Sequence, residues 1–355
     1  MNHPHTPASP RLLDGHGRHI HYLRVSVTDR CDMRCTYCIP EGFRGFEEPE
    51  HWLTLDEMAR LVGVFVGMGV NKVRLTGGEP LLRRGVTGLA ATISALPGLQ
   101  DLSLTTNASQ LHRMAQGLKD AGVSRLNVSL DSLRRERFAA ITKRDVLDDV
   151  LRGIATASRV GLAPVKINTV VQAGVNDDEL DDLVAFALEH GLILRLIEPM
   201  PMGHTGQAAT GLDLTQRGAE LAQRFGLIPE ADPMAADSSA RSALEAPGAG
   251  PARYWHAPKS AARNSTAGRM SLGVITPLSQ HFCATCNRVR LGVDGTLYLC
   301  LGQNDAVPLG RQLREGASDA DLRDAILQAL AHKPERHHFV ETPGQIVRFM
   351  SQTGG

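Results

Sequence analysis

The chain carries six short strand-like segments, at 22–28, 72–76, 102–105, 125–130, 165–171 and 193–197; apolar and polar residues alternate in the first five, and in the sixth Arg195 stands alone among Ile193, Leu194, Leu196 and Ile197. Alternation of this kind predicts strands with one buried and one polar face. Between them the period changes. Leu55, Met58, Ala59, Val62, Phe65 and Val66 recur at helical spacing, behind Thr54 and Glu57, a capping-box pair. Leu180, Leu183, Val184 and Ala187 form a second stripe. Strands alternating with helices predict an α/β fold of parallel βα units, a sheet or barrel.

A parallel sheet covered on both faces reads as continuous apolar runs. These strands do not. If the helices cover the apolar residues, the other face is a polar interior holding Arg24, Lys72, Arg74, Lys166 and Arg195. Buried cations without partners are prohibitively costly, so such an interior calls for an anion within it. An antiparallel sheet with one wet face is the alternative reading of the pattern, and surface ion pairing is that of the cations. The intervening helices weigh against the first.

Past residue 200 the pattern changes. The stretch 231–270 is rich in Ala, Pro, Ser and Gly and reads as an insertion or linker. An ordered part follows, with strands expected at 274–276, 289–293 and 296–300, Asp294-Gly295 as a hairpin turn, and a helix over 319–331 capped by Ser318. The expected organisation is a loose arm at 1–10, a unit over 11–230, the linker 231–270 and a smaller α+β unit over 271–355.

Composition narrows the function classes. The 355 residues, 42% of them hydrophobic, can bury a large core. Lys plus Arg number 38 and Asp plus Glu number 38, a balance that argues against a general affinity for nucleic acid or anionic membrane. No apolar run has the length of a membrane span, and Met1 to Pro10 has no signal core. A cytoplasmic protein is expected, whose six cysteines serve metals or catalysis and not disulfides.

Those cysteines fall into two triplets, Cys31/Cys35/Cys38 after the first strand and Cys283/Cys286/Cys300 near the C-terminus. A four-iron cluster held by four thiolates is coordinatively closed. Held by three, it keeps one iron open. A rival reading joins Cys35/Cys38 with Cys283/Cys286 in one zinc site, at a separation far beyond the usual one and leaving Cys31 and Cys300 without a role.

Cys31-Asp32-Met33-Arg34-Cys35-Thr36-Tyr37-Cys38 resembles the motif of the radical S-adenosylmethionine (SAM) superfamily, and Thr76-Gly77-Gly78-Glu79-Pro80 resembles its GGEP element. The segments 23–40, 72–82, 105–107, 127–131 and 282–300, with Cys286-Asn287-Arg288-Val289-Arg290 as the signature, resemble the GTP 3′,8-cyclase family of molybdenum-cofactor biosynthesis. That resemblance implies a partial six-unit βα (TIM-like) barrel with a C-terminal α+β domain capping its mouth. It implies two 4Fe-4S clusters, held by Cys31, Cys35 and Cys38 and by Cys283, Cys286 and Cys300, the latter contacting the guanine of GTP. Tyr37, Gly78, Ser129 and Met200 would line the SAM pocket, the glycines permitting close approach to the methionine amino group. Arg24, Lys72, Arg74, Thr105, Lys166, Arg195, Arg288, Val289 and Arg290 would hold GTP, with Arg288 and Arg290 as the catalytic pair.

In the implied reaction a 5′-deoxyadenosyl radical takes the ribose 3′ hydrogen, C3′ adds to C8 of guanine, and reduction gives 3′,8-cyclo-7,8-dihydroguanosine triphosphate. Partners implied are GTP, SAM, a flavodoxin- or ferredoxin-type electron donor, cyclic pyranopterin monophosphate synthase downstream, and a second copy in a homodimer. The Gly354-Gly355 tail resembles one that reaches into the site. Another radical SAM enzyme with an auxiliary cluster and a zinc-binding non-catalytic module are the rival functions. Ala108 stands where the family usually has Gly, and Pro199 precedes Met200 where a larger residue is common. His337 and His338 read as ordinary surface histidines.

Overall fold

The computed structural model describes residues 11–39, 49–207, 209, 211–230, 252–258, 271–279, 282–339, 341–342, 345–346 and 348–354. The arm 1–10, most of 231–270 and Gly355 lie outside the described residues.

The first half is a βα succession: β1 (Tyr22–Ser26), α1 (Leu55–Gly67), β2 (Lys72–Thr76), α2 (Val86–Ser94), β3 (Asp101–Thr106), α3 (Leu111–Asp120), β4 (Arg125–Ser129), α4 (Arg135–Thr142), α5 (Leu147–Arg159), β5 (Val165–Val170), α6 (Leu180–Glu189) and β6 (Ile193–Ile197). After it come α7 (Gly203–Gln207), α8 (Leu214–Arg224), β7 (Ile228–Pro229), β8 (Ala252–His256), β9 (Ser271–Ile275), β10 (Arg288–Leu291), β11 (Thr296–Tyr298), β12 (Ala306–Pro308), α9 (Leu309–Arg314), α10 (Asp319–Ala331) and α11 (Met350–Thr353).

Local chemistry accounts for the helix starts. Thr54 accepts from the Glu57 amide at 3.1 Å while Glu57 accepts from the Thr54 amide at 2.7 Å, closing the capping box of α1. Ser318 and Asp321 repeat the device on α10. Each such cap is worth about 1 kcal/mol.

The described strands form one mixed sheet in the order β12-β11-β10-β1-β2-β3-β4-β5-β6-β9-β8-β7. From β10 through β1–β6 to β9 every pairing is parallel. The antiparallel alternative is thereby excluded for the strands that raised it. One face is apolar: Leu23, Val25, Val73, Leu75, Leu104, Leu126, Val128, Ile167, Leu194 and Leu196 are buried with Met58, Leu61 and Phe65 of α1 and Leu111 and Leu118 of α3 in one core. Burying each large side chain contributes about 1.5–3 kcal/mol.

Two expectations need correction. Inside the expected 231–270 linker, 252–256 is strand β8, antiparallel to β9, with Tyr254 buried in it. The C-terminal residues also do more than cap the strand C-termini, against which Met350, Ser351 and Gly354 lie. They extend the sheet at both edges, β9 beside β6 and β10 beside β1, which gives the otherwise open edges their hydrogen-bonding partners. Because β10 runs parallel to β1, with Tyr22 opposite Arg288, Cys283 and Cys286 lie by the N-terminal end of β1, whereas Cys31 follows its C-terminal end. Antiparallel β11, with Tyr298 opposite Arg290, returns Cys300 to the side of Cys286. The two triplets occupy opposite ends of the sheet.

Candidate functional site: two cysteine cavities and a cationic sheet face

The first triplet sits in the loop after β1. Its chain is pinned on α4, where the Arg34 amide donates to Thr142 O at 2.8 Å and that of Thr36 to Ile141 O at 3.0 Å. Asp32 ties it to the loop after β3, accepting from Asn107 Nδ2 at 2.7 Å and Ser109 Oγ at 2.8 Å. Cys31, Cys35 and Cys38 line one cavity with Tyr37, Gly78, Thr105, Ser129 and Met200. The four residues expected at SAM are thus brought together, and Thr105, expected at GTP, joins them. Its buried Oγ1 has no hydrogen-bond partner among the described residues, which suits a ligand-facing hydroxyl.

The glycines of the GGEP element, which line this cavity, also meet a packing need. A Cβ on Gly77 would meet Thr28 O at 2.1 Å, and one on Gly78 would meet Arg30 O at 2.1 Å. They allow two loops to pack backbone to backbone, with the Gly78 amide donating to Thr28 O at 2.8 Å. Glu79 is fully buried and accepts from Thr106 Oγ1 at 2.7 Å and the amides of Asn107 at 2.6 Å and Leu81 at 3.0 Å. Burial pushes its carboxyl up to about 7 against these bonds. Asp131, which accepts from Tyr37 Oη at 2.7 Å, is pushed by burial up to about 6. All three thiols are raised. Burial leads in each case, helped by Glu79 at Cys31 and by Asp131 at Cys35, and it takes Cys38 up to about 12.

Cys283, Cys286 and Cys300 line a second cavity with Arg288, Val289, Arg290, Phe282, His337 and again Met200. Met200 borders both cavities. Here the surroundings are cationic: burial raises the Cys286 thiol, but Lys333 and then Arg288 outweigh it and the net shift is downward. His337 is not a surface residue. It is buried, with Phe339 beside it at 4.9 Å between ring centroids, because Gly302 leaves room for both. His338 is exposed as expected. Val289 borders this cavity, but its side chain alternates to the apolar face and packs in the core in register with Leu23, so it adds no polar group.

Between the cavities runs the polar sheet face. Register places Arg290, Arg24, Arg74, Ser103 and Arg125 in one row across β10, β1, β2, β3 and β4. Asn127 and Lys166 pair across β4 and β5, and Asn168 and Arg195 across β5 and β6. Lys72 and Arg288 flank Tyr22, whose ring lies 5.3 Å from the Arg74 guanidinium and 5.7 Å from that of Arg288. Every cation expected on this face is there, and Arg24, Lys166, Arg195 and Arg290 are buried. Burial and then Arg195, Arg125 and Arg74 push the Lys166 ammonium down to about 6. Burial and then Arg288 push Arg290 down to about 10. Within this face Asp101 pairs with Arg125.

The sequence reading missed several residues of the site. Arg125 is in phase with Asn127 and was legible from the alternation. The roles of Asp32, Asn107 and Asp131 depend on loops meeting in space, and nothing local announces them. At the tail, Gly354 packs on Thr76, and Arg290 Nη1 donates to Thr353 O at 3.2 Å and to Gly354 O. Met350 and Ser351 line the first cavity.

The Radical SAM superfamily model matches residues 25–187 and the Molybdenum Cofactor Synthesis C model matches residues 192–339. A GTP 3′,8-cyclase of Ectopseudomonas mendocina is 45% identical over 97% of this chain and 99% of its own length. The chain belongs to the GTP 3′,8-cyclase family. A second such cyclase, from Pseudomonas putida, is 46% identical over 98% of this chain and 99% of its own. Among solved structures, Streptococcus suis SuiB bound to its precursor peptide SuiA superposes with a TM-score of 0.50 at 18% identity, covering 59% of this chain and 47% of that one, a likeness of fold alone.

Members of this family use SAM and 4Fe-4S clusters, and the residues present fit them. Each cysteine trio lines a cavity, and all six are free thiols. Among the described residues no three His, Cys, Asp or Glu side chains converge tightly enough to hold a single ion. The trios line separate cavities at opposite ends of the sheet, an arrangement that suits a polynuclear group spanning each trio. The zinc reading, which requires Cys35/Cys38 and Cys283/Cys286 to meet at one ion, does not survive this placement. No described helix is long and apolar enough to cross a membrane.

Proposed function

We propose that the chain converts GTP to 3′,8-cyclo-7,8-dihydroguanosine 5′-triphosphate in molybdenum-cofactor biosynthesis, with SAM bound at the Cys31/Cys35/Cys38 end and GTP stretched along the cationic face to the Cys283/Cys286/Cys300 end. The observation that carries this reading is the row of buried cations between two cysteine cavities. A triphosphate supplies the negative charge that such a face requires.

Bound at the first trio, a reduced 4Fe-4S cluster with SAM supplies the radical that opens the reaction. The chain's own residues do the rest. Arg24, Lys72, Arg74, Lys166 and Arg195 bind the phosphates. Lys166, held low while empty of ligand, takes up a proton as the triphosphate arrives. Thr105 orients the sugar from the first cavity, and Arg288 and Arg290 orient the base from the second. Tyr37, Gly78, Ser129 and Met200 shape the SAM pocket, with Met200 between the two ligands. Gly354, drawn in by Arg290, closes the chamber against water and oxygen.

Burial of the polar face supports a sheet curled around it as a partial six-unit barrel, residues 11–230, which residues 271–355 extend at both edges. Further expectations are a cytoplasmic homodimer, a flavodoxin- or ferredoxin-type electron donor and product transfer to cyclic pyranopterin monophosphate synthase. The test is anaerobic reconstitution followed by incubation with SAM, dithionite and GTP. GTP-dependent 5′-deoxyadenosine and the cyclised nucleotide should both appear. Deoxyadenosine stimulated by peptides and not by GTP would contradict the reading.

A further inference from the structure

Lys333 is the unexpected cation of the second cavity's surroundings. It follows α10 in a polar turn, yet it is among the largest fully buried side chains of the protein. Its Nζ donates to the backbone carbonyl of Leu299, the residue before Cys300. Among the described residues no carboxylate forms an ion pair with it. A buried ammonium satisfied by one neutral acceptor is a costly arrangement unless an anion completes it.

The turn is also held in place deliberately. Arg18, itself buried and paired with Asp14 at 2.6 Å, donates to Cys283 O at 2.9 Å, to Pro334 O at 2.7 Å and to Glu335 O at 2.7 Å. One guanidinium thus fixes the 334–335 turn against the first cysteine of the second trio. Leu299 fixes the ammonium against the last. The charge acts on both Cys286 and Cys300.

We propose that Lys333 is a positioning residue for the second iron-sulfur site, a fixed counter-charge, held on the Leu299 carbonyl, that stabilises the reduced form of the group bound by Cys283, Cys286 and Cys300. The inference rests on the two-cluster reading above. A four-iron core with three thiolates carries a net negative charge, and adding one electron increases it. A cation held nearby in a low-dielectric setting favours that more negative state and raises the midpoint potential.

The test uses the full chain in a background with Cys31, Cys35 and Cys38 replaced by Ser, so that one cluster is titrated. Anaerobic protein is reconstituted and reduced stepwise with dithionite, and the midpoint is followed by electron paramagnetic resonance. Lys333→Met and Lys333→Gln are both expected to shift the midpoint to lower potential, and Lys333→Gln retains a donor for the Leu299 carbonyl. An unchanged midpoint in Lys333→Gln would overturn the proposal, since the residue would then serve as a hydrogen-bond donor alone. If either variant fails to hold iron, thermal unfolding of the iron-free proteins decides. An unfolding temperature kept or raised on losing the buried charge supports the proposal, and one that falls makes Lys333 a purely structural residue. Failure of the background protein itself to hold a cluster would overturn the two-cluster reading, and this inference with it, an outcome distinct from an unchanged midpoint.

Discussion

The two cysteine sites sit in opposite electrostatic surroundings. Around the first trio lie Glu79, Asp32 and Asp131, and burial with these carboxylates raises the Cys31 and Cys35 thiols. Around the second lie Lys333, Arg288 and Arg18, and Cys286 is held below its ordinary range. Negative neighbours disfavour adding an electron and suit a strongly reducing centre whose ligand, a sulfonium, brings its own positive charge. Positive neighbours suit a centre that meets a polyanionic substrate. Under the proposed function, the same three-thiolate chemistry is turned to two tasks by what surrounds it.

The largest expected effect separates the two ends. Replacing Cys31, Cys35 or Cys38 with Ser should abolish both deoxyadenosine formation and cyclisation. Replacing Cys283, Cys286 or Cys300 should abolish cyclisation while the first cluster remains visible by electron paramagnetic resonance. Loss of the first cluster's signal in the second set would break the division.

Next comes the face between them. Lys166→Met should weaken GTP binding roughly 10- to 100-fold, the worth of about 1.5–3 kcal/mol for a charge-assisted contact. Lys166 is held at about 6, below its ordinary value of 10.5. The ligand-free folded chain has therefore released a proton between those values, and GTP should restore it. Calorimetry in buffers of different ionisation enthalpy should show proton uptake near neutral pH that the variant lacks.

Glu79 sharpens the acidic end. Its folded carboxyl, up at about 7 from 4.5, holds a proton that the unfolded chain has released over that interval. Its contribution to stability is fully present below the ordinary value and declines as pH rises from about 4.5 to about 7. Glu79→Gln should flatten that decline in the iron-free protein and, by setting an amide NH2 against donors, lower stability at neutral pH by about 1–3 kcal/mol. Urea unfolding across the interval is the measurement.

The smallest effect concerns Ala108, which adopts φ 63 in the buried loop after β3. A residue with a Cβ is strained there, so the alanine adds strain and not merely stiffness. Ala108→Gly relieves it but loosens the unfolded chain, and the net change should stay within about 1 kcal/mol of zero.

The first five strands and their polar face were legible because each repeats with period two, and Arg195 announces itself by breaking an apolar run. Helix α10 was legible from its Ser318 cap. What local pattern does not encode is which edge a distant strand joins. The parallel pairing of β10 with β1, and with it the placing of Cys283 opposite Cys31, is a long-range choice. For the same reason β8 hid inside a stretch of small residues, and His337 read as exposed although Gly302, 35 residues earlier in the chain by number, makes room for it. The acidic and basic surroundings of the trios arise from loops meeting in space, and no single segment carries them.

The most direct test records electron paramagnetic resonance spectra of two reduced full-length proteins, one lacking each cysteine trio, with SAM or GTP added in turn. SAM should alter the spectrum only where Cys31, Cys35 and Cys38 remain, and GTP only where Cys283, Cys286 and Cys300 remain. Both ligands altering the same centre, or zinc in place of iron, would contradict the account.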